Sequence, residues 1–430
     1  MKSASSGVDG EHSGQNNPGI TINSSDGNGN LKGLFVNRDC RHFQDYKPCQ
    51  PHKKFGVLCH GCPYYEPIKK RLLIVNLEAM GDVLRTTSIL LPLREKYPGC
   101  HITWITTPKC VDILKNNPYV DRILMIGYET SMSMMIEEFD VAINVEKAHE
   151  ACALFTMVKA KKKFGFELGK DGSIVPLSNG AKYFLDIGIS DKHKRASRKT
   201  QQEIVFDIAG LEYTGQKSIL MLEDSAKSFA GEFFKNNGLK KGDFIVGFNT
   251  GCSNRLFLDR KWSIDGFVEL AKLLYSLYDA KILLLGGPNE IERNQEIINK
   301  SSVPIINTGN NNTIPQFAAI ISKCSLLVTG DTLAVHMAAA LDVAAVCMFG
   351  PTMPHEIELY GKGARILTDM SCAGCFKIKC EFHKTCMDRL QASTVFDAVE
   401  KVAMKHNLLP GRNMRLNAMA GSAKSDVNAD

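Results

Sequence analysis

From Arg71 onward the chain alternates short, wholly apolar runs with longer stretches of helical spacing. LLIVNL (Leu72–Leu77), ITWIT (Ile102–Thr106), RILMI (Arg122–Ile126) and VAINV (Val141–Val145) read as strands buried on both faces. A helix is predicted over Gly81–Lys96 and another near Val111–Asn116. Strands alternating with helices imply a parallel, doubly wound sheet, since a parallel connection needs a crossover. The pattern restarts at FIVGFN (Phe244–Asn249) and runs through helix Ile264–Leu277, strand KILLLGG (Lys281–Gly287), helix Glu290–Asn299, strand VPIINT (Val303–Thr308) and helix Ile314–Ser322. A βαβ block closes it. Strand Ser325–Thr329 ends in Gly330-Asp331-Thr332, a helix opens there, and strand Ala344–Phe349 ends in Gly350-Pro351-Thr352. The fold class is α/β, with two Rossmann-like domains over 70–235 and 236–410. Gly238, Lys240, Lys241, Gly242 and Asp243 punctuate the boundary region.

Outside these halves the pattern fades. Residues 1–33 are rich in Ser, Gly, Asn and Asp and too poor in apolar side chains to offset chain entropy, so they and the tail 411–430 are expected to be disordered. Segment 34–69 is a small Cys/His/aromatic module. The 44% hydrophobic content is that of a globular protein, and a net charge of +6 is too mild to argue for nucleic acid as a partner. No apolar run reaches the roughly 18–20 residues of a membrane span, and the N-terminus lacks the apolar centre of a secretory signal. A cytoplasmic protein is expected, with peripheral contact at an anionic membrane left open. The basic runs Lys159–Lys163 and Lys192–Lys199 read either as solvated faces or as attractors for a phosphorylated glycolipid.

The chemistry concentrates where strands end. Open α/β sheets bind ligands at the carboxyl ends of their strands, and a helix N-terminus offers unpaired amides to an anion. After the first strand, Glu78-Ala79-Met80-Gly81-Asp82 puts an acid in the first turn of a helix, where it reads as a cap or as a general base. Lys147, beyond a later strand, lines the same cleft or is a solvated lysine. In the second half Thr250-Gly251-Cys252-Ser253 is a small-residue loop suited to phosphate, and Arg260-Lys261-Trp262 supplies positive charge. Glu290 follows Gly286-Gly287-Pro288-Asn289, and Asp331-Thr332 precedes a helix bearing His336. Singly each has a plain alternative: surface charge for Arg260, a first-turn residue for Glu290, a core histidine for His336. No acidic D-x-D pair marks a catalytic divalent ion.

Taken in order, these segments resemble glycosyltransferase family nine, the ADP-heptose:lipopolysaccharide heptosyltransferases. That family writes D-[TS]-G-x-x-H-x-x-A-A-L and then F-G-P-T, matched by Asp331, Thr332, His336, Ala339, Ala340, Leu341 and Phe349 to Thr352. Leu333 stands where the family has glycine, and Ser263 where its basic-basic-Trp-Pro run has proline. The family's S-x-x-G-D opening is matched by Gly81-Asp82, and its G-x-P-x-E by Gly286 to Glu290. The resemblance covers roughly Arg71 to His406. It implies a GT-B architecture, two Rossmann-like domains facing a cleft, with the last helix (Ser393–His406) packed across both. It also implies an inverting, metal-independent sugar transferase. Asp82 would be the base, Thr250, Gly251, Arg260, Lys261, Glu290, Asp331, Thr332 and His336 would hold a nucleotide-diphosphate sugar, with ADP-heptose foremost, and the acceptor would be a lipopolysaccharide-type or other cell-surface glycan.

The fourteen cysteines are uneven. Cys40, Cys49, Cys59 and Cys62, with histidines between them, have spacing suited to a structural zinc, or alternatively iron or an iron–sulfur group. Cys372, Cys375, Cys380 and Cys386 form a second candidate set, and iron-binding versions of such a motif occur in family members that modify autotransporter proteins. Three other functions stay open: heptosyl transfer to protein side chains, a GT-B sugar-nucleotide epimerase that turns over donor without acceptor, and a metal-dependent redox or nucleic-acid-binding protein led by the cysteines.

Overall fold

Two six-stranded sheets carry the chain in a computed structural model that describes residues 35–252 and 260–409. The expected disordered ends and Ser253 lie outside the described residues. In the first half the elements run β1 (Lys70–Val75), α2 (Met80–Thr86), α3 (Leu90–Lys96), β2 (Cys100–Thr106), α4 (Val111–Leu114), β3 (Arg122–Met125), α5 (Tyr128–Met134), β4 (Glu138–Asn144) and α6 (His149–Met157). They continue with β5 (Lys159–Leu168), β6 (Ile174–Pro176), α7 (Asn179–Ile189), α8 (Asp191–Ala196) and α9 (Gln201–Ala209). A short helix, α1 (Gln50–Phe55), precedes them in the cysteine module.

The strand order is β3-β2-β1-β4-β5-β6, parallel except that β6 pairs antiparallel with β5. Leu72 faces Val141 and Ile74 faces Ile143 across the central pair. Both strands are buried over most of their length, which is why they read as unbroken apolar runs. The predicted helix Gly81–Lys96 is two helices joined by a tighter turn at Thr87–Ile89. Pro92 has no amide hydrogen to continue the ladder, and the Thr87 and Ser88 hydroxyls bond back to the Leu84 and Arg85 carbonyls at 2.6 and 2.7 Å.

The second half contains α10 (Asp224–Asn236), β7 (Ile245–Asn249), α11 (Ile264–Tyr278), β8 (Lys281–Leu285), α12 (Ile291–Lys300), β9 (Ile305–Asn307) and α13 (Ile314–Ile321). It ends with β10 (Leu326–Gly330), α14 (Leu333–Ala340), β11 (Ala344–Phe349), β12 (Gly363–Leu367), α15 (Cys386–Arg389) and α16 (Ala392–Lys405). Its order is β12-β11-β10-β7-β8-β9, and all its pairings are parallel. Helix α10 packs against α13 and so joins this half. Helix α16 was expected across both halves. Its stripe of Val395, Val399, Val402 and Ala403 lies in the second half's core with Phe248, Trp262 and Val346.

Residues 35–70, with Gly99–His101, form a separate unit. Within it Phe55 stacks on Tyr64 at 4.8 Å, the Tyr65 hydroxyl donates to Asp39 at 2.6 Å, and Arg41 donates to the Cys100 carbonyl at 2.7 Å. Among the described residues no helix is long and apolar enough to cross a membrane.

Candidate active site

In the first half the chain leaves β1 and enters α2, which brings Asp82 into the first helical turn. Its Oδ2 accepts from the Ala79 amide at 3.3 Å, and its Oδ1 meets the Arg85 guanidinium. The Asp82 side chain is still 40% exposed, so capping the helix does not withdraw it from a substrate. Beyond β4, Glu146 accepts from Asn76 Nδ2 and from the Glu78 amide, both at 3.4 Å. Burial, and then the Asp82 charge, hold the Glu146 carboxyl above its ordinary range. Lys147 donates to the Phe184 carbonyl at 3.0 Å and stands 3.5 Å from that ring's centroid. Burial, and then the neighbouring Lys194, pull its pKa down to about 8.

Asp82, Glu146, Lys147, Lys194, Lys199 and Glu356 line a cavity of about 300 Å³. Glu356 reaches it from the second half, out of the turn Pro354–Glu356. Burial raises its carboxyl, and Lys194, its strongest charged neighbour, opposes the shift. Of the two basic runs, Lys192–Lys199 thus contributes Lys194 and Lys199 to the cavity. In the run Lys159–Lys163, on β5, Lys161 pairs with Asp140 at 2.9 Å and Lys163 pairs with Glu167.

In the second half the loops after β7, β8 and β10 converge. Asn249 Nδ2 donates to the Thr329 and Thr332 hydroxyls at 3.0 and 3.1 Å, tying two strand ends together. Thr332 is the N-cap of α14, its hydroxyl accepting from the Ala334 amide at 3.3 Å. Arg260 donates to the Asp331 carbonyl at 3.1 Å and lies 3.4 Å from its carboxylate. Lys261 pairs with Glu290 at 3.2 Å, and Glu290 also accepts from the Gly287 amide at 3.1 Å. Gly251 is held against this pair, for a Cβ there would lie 2.4 Å from Glu290 Cδ. Thr250 is only 2% exposed and its hydroxyl donates inward to Asn294 at 2.5 Å, so its side chain shapes the loop. Ser263, standing in the proline position, caps α11 by accepting from the Gly266 amide at 3.1 Å.

The two halves meet at Gly81 and His336. A Cβ on Gly81 would come within 2.8 Å of His336 Cδ2, and the imidazole is 6% exposed. Asp82 and Thr332 each open a helix beside this contact. Glu146, Glu356 and Asn249 were not singled out in the sequence. Glu146 and Asn249 stand at strand ends, the signal that pointed to Asp82 and Asp331, whereas nothing local marks Glu356.

The cysteines depart from expectation. All fourteen are free thiols, and among the described residues no three His, Cys, Asp or Glu side chains gather as a metal site. In the module Cys40 bridges to Pro67, Cys49 precedes α1, and Cys59 and Cys62 close a turn. In the second set, Cys386 is buried against Gly350, and burial, then Cys375, Cys380 and Cys372, push its thiol up to about 11. The loop is instead stitched to the Gly350-Pro351-Thr352 turn, Gly374 donating to the Gly350 carbonyl and Phe376 to the Pro351 carbonyl, both at 2.8 Å.

The profile of glycosyltransferase family 9 (heptosyltransferase) matches residues 131–386. The chain is 23% identical to lipopolysaccharide core heptosyltransferase OpsX of Haemophilus influenzae over 314 residues, 69% of this chain and 84% of that protein. Among solved structures it is similar to a glycosyl transferase family 9 protein from Veillonella parvula, with a TM-score of 0.60 at 20% identity over 79% of this chain and 99% of that one. It is also similar to E. coli ADP-heptose lps heptosyltransferase II, with a TM-score of 0.57 at 18% identity over 78% and 99%.

Proposed function

The chain belongs to glycosyltransferase family 9, the heptosyltransferases, and we propose that it moves heptose from ADP-heptose to a hydroxyl of a lipopolysaccharide-type core glycan with inversion at C1. The acceptor hydroxyl enters the cavity beside Asp82, which takes its proton as the oxygen attacks C1. The bond from C1 to the diphosphate oxygen breaks on the opposite face. Such proton removal contributes roughly 10²–10⁴-fold. Charge growing on the departing diphosphate is met by Arg260, Lys261 and the amides at the start of α14, with no metal assigned to the step. Asp331 accepts hydroxyl protons of the sugar, and Glu290, beside Gly251, borders the nucleoside. Lys147, Lys194 and Lys199 suit an acceptor that carries negative charge.

The observation that carries this reading is the meeting of two helix starts, one bearing Asp82 and the other Thr332, across the Gly81–His336 contact. The reading includes work in the cytoplasm, at the inner face of an anionic membrane. Its test is nucleotide release across ADP-, UDP-, GDP- and dTDP-sugars, with and without a membrane glycolipid extract, for wild type beside Asp82→Asn. ADP release that needs both ADP-heptose and extract, and is lost in the variant, supports it. Turnover without acceptor would make the protein an epimerase instead.

A further inference from the structure

Helix α14 begins at the donor loop, and His336 lies one turn below its N-cap Thr332, on the same face. Helix α2 begins at the base, and Gly81 immediately precedes Asp82. These helices pack against each other. At their crossing the Cδ2 edge of an imidazole meets bare backbone: from a Cβ position on Gly81, His336 Cδ2 is at 2.8 Å, Nε2 at 3.3 Å and Cγ at 3.8 Å. The contact therefore has no room for even one carbon. Burial, and then the Arg85 charge, keep the ring's pKa well below its ordinary value, so it is neutral there. A neutral, buried ring whose edge is pressed on a glycine acts by its bulk.

We infer that His336 is a positioning residue, the spacer that sets α2, and with it Asp82, at working distance from the donor loop at the start of α14. The inference rests on Asp82 acting as the base. It explains why a glycine precedes the aspartate: any side chain at 81 would drive the two helix starts apart. Misplacing reacting groups by about 1 Å can cost on the order of 10²-fold in rate.

The test is a double-mutant cycle of Gly81→Ala and His336→Ala. ADP release from ADP-heptose with glycolipid extract gives kcat and KM, ADP binding is measured by calorimetry, and thermal unfolding is followed for every variant. Gly81→Ala is expected to lower kcat by about 10²-fold with ADP affinity unchanged. In the His336→Ala background the same change is expected to cost less than about threefold, because the collision is gone. Equal losses in both backgrounds would overturn the inference and put the defect in α2 alone. A loss of ADP affinity or a raised KM for ADP-heptose in His336→Ala, with kcat kept, would also overturn it and make His336 a donor ligand. Should Gly81→Ala alone fail to fold, the double variant decides: activity close to His336→Ala supports the spacer, and its absence refutes it. Asp82→Asn is assayed alongside, so a failure of the base reading shows there and leaves the coupling between 81 and 336 measurable.

Discussion

Lys194 Nζ lies 3.9 Å from Glu356 Oε1, joining a helix of the first half to a turn of the second where both line the cavity beside Asp82. The same ammonium stands 3.8 Å from the centroid of Phe376, whose amide is bonded to the Pro351 carbonyl. One lysine thus touches both the cavity and the loop system of the donor half. Lys194→Met is expected to lower kcat/KM for acceptor by about fivefold, one lost charge contact being worth on the order of 1 kcal/mol. Thermal unfolding should shift little, since the pair is long and partly solvated. A large loss of stability with unchanged kinetics would refute the assignment.

Lys147 gives the proposed acceptor step a dependence on pH. Its folded pKa of about 8 lies below the ordinary 10.5. Between these values the unfolded chain binds the extra proton, so stability rises as pH climbs through that window, and below about pH 8 the buried charge is a standing cost. Lys147→Met is expected to raise Tm at pH 7, with the gain fading toward pH 10.5. Meanwhile KM for a negatively charged acceptor should rise in wild type as pH passes about 8, and that step should vanish in the variant. Initial-rate profiles from pH 6.5 to 9.5 on both proteins, taken with unfolding scans, check the two signs together (roughly one and a half units either side of the group's pKa).

Gly251 admits no side chain. Gly251→Ala sets a carbon 2.4 Å from Glu290 Cδ, and Glu290 is 5% exposed with Lys261 and the Gly287 amide already on its carboxylate. Relief requires moving that carboxylate, at about 1–3 kcal/mol of strain. ADP affinity should fall about tenfold or more by calorimetry, with a lower Tm.

Arg260→Gln removes a cation from the proposed leaving-group site and leaves a shorter, neutral hydrogen-bonding side chain. A kcat loss of about 10²–10³-fold is expected, as for other lost electrostatic donors. Single-turnover rates should fall in step. An unchanged chemical step would mean that Arg260 serves only to hold Asp331.

The strands were legible because parallel strands covered on both faces must be apolar throughout, as in Ile245–Asn249 and Ala344–Phe349. Asp82, Glu290 and Asp331 were legible because they follow such strands directly. Pro92 carried the signal for the break at Thr87–Ile89, but apolar spacing continuing across it hid the boundary. Glu356 was not legible, since only the approach of the two halves gives it a place in the cavity. Cysteine spacing did not lead to a gathered set of ligands among the described residues, since spacing along the chain does not fix where each thiol lies.

The division of labour between the sheets bears on how such proteins diverge. The proposed donor loops hang on β7, β8 and β10, while most of the proposed acceptor cavity is built from the first sheet and its helices. A lineage can therefore change the glycan it extends by rewriting one half and inheriting the other intact. Glu356 is the exception, a donor-half residue that descends with the nucleotide site yet borders the acceptor. Descendants that took up a new glycan would have to revise it together with Lys194, so those two positions should change hands as a pair.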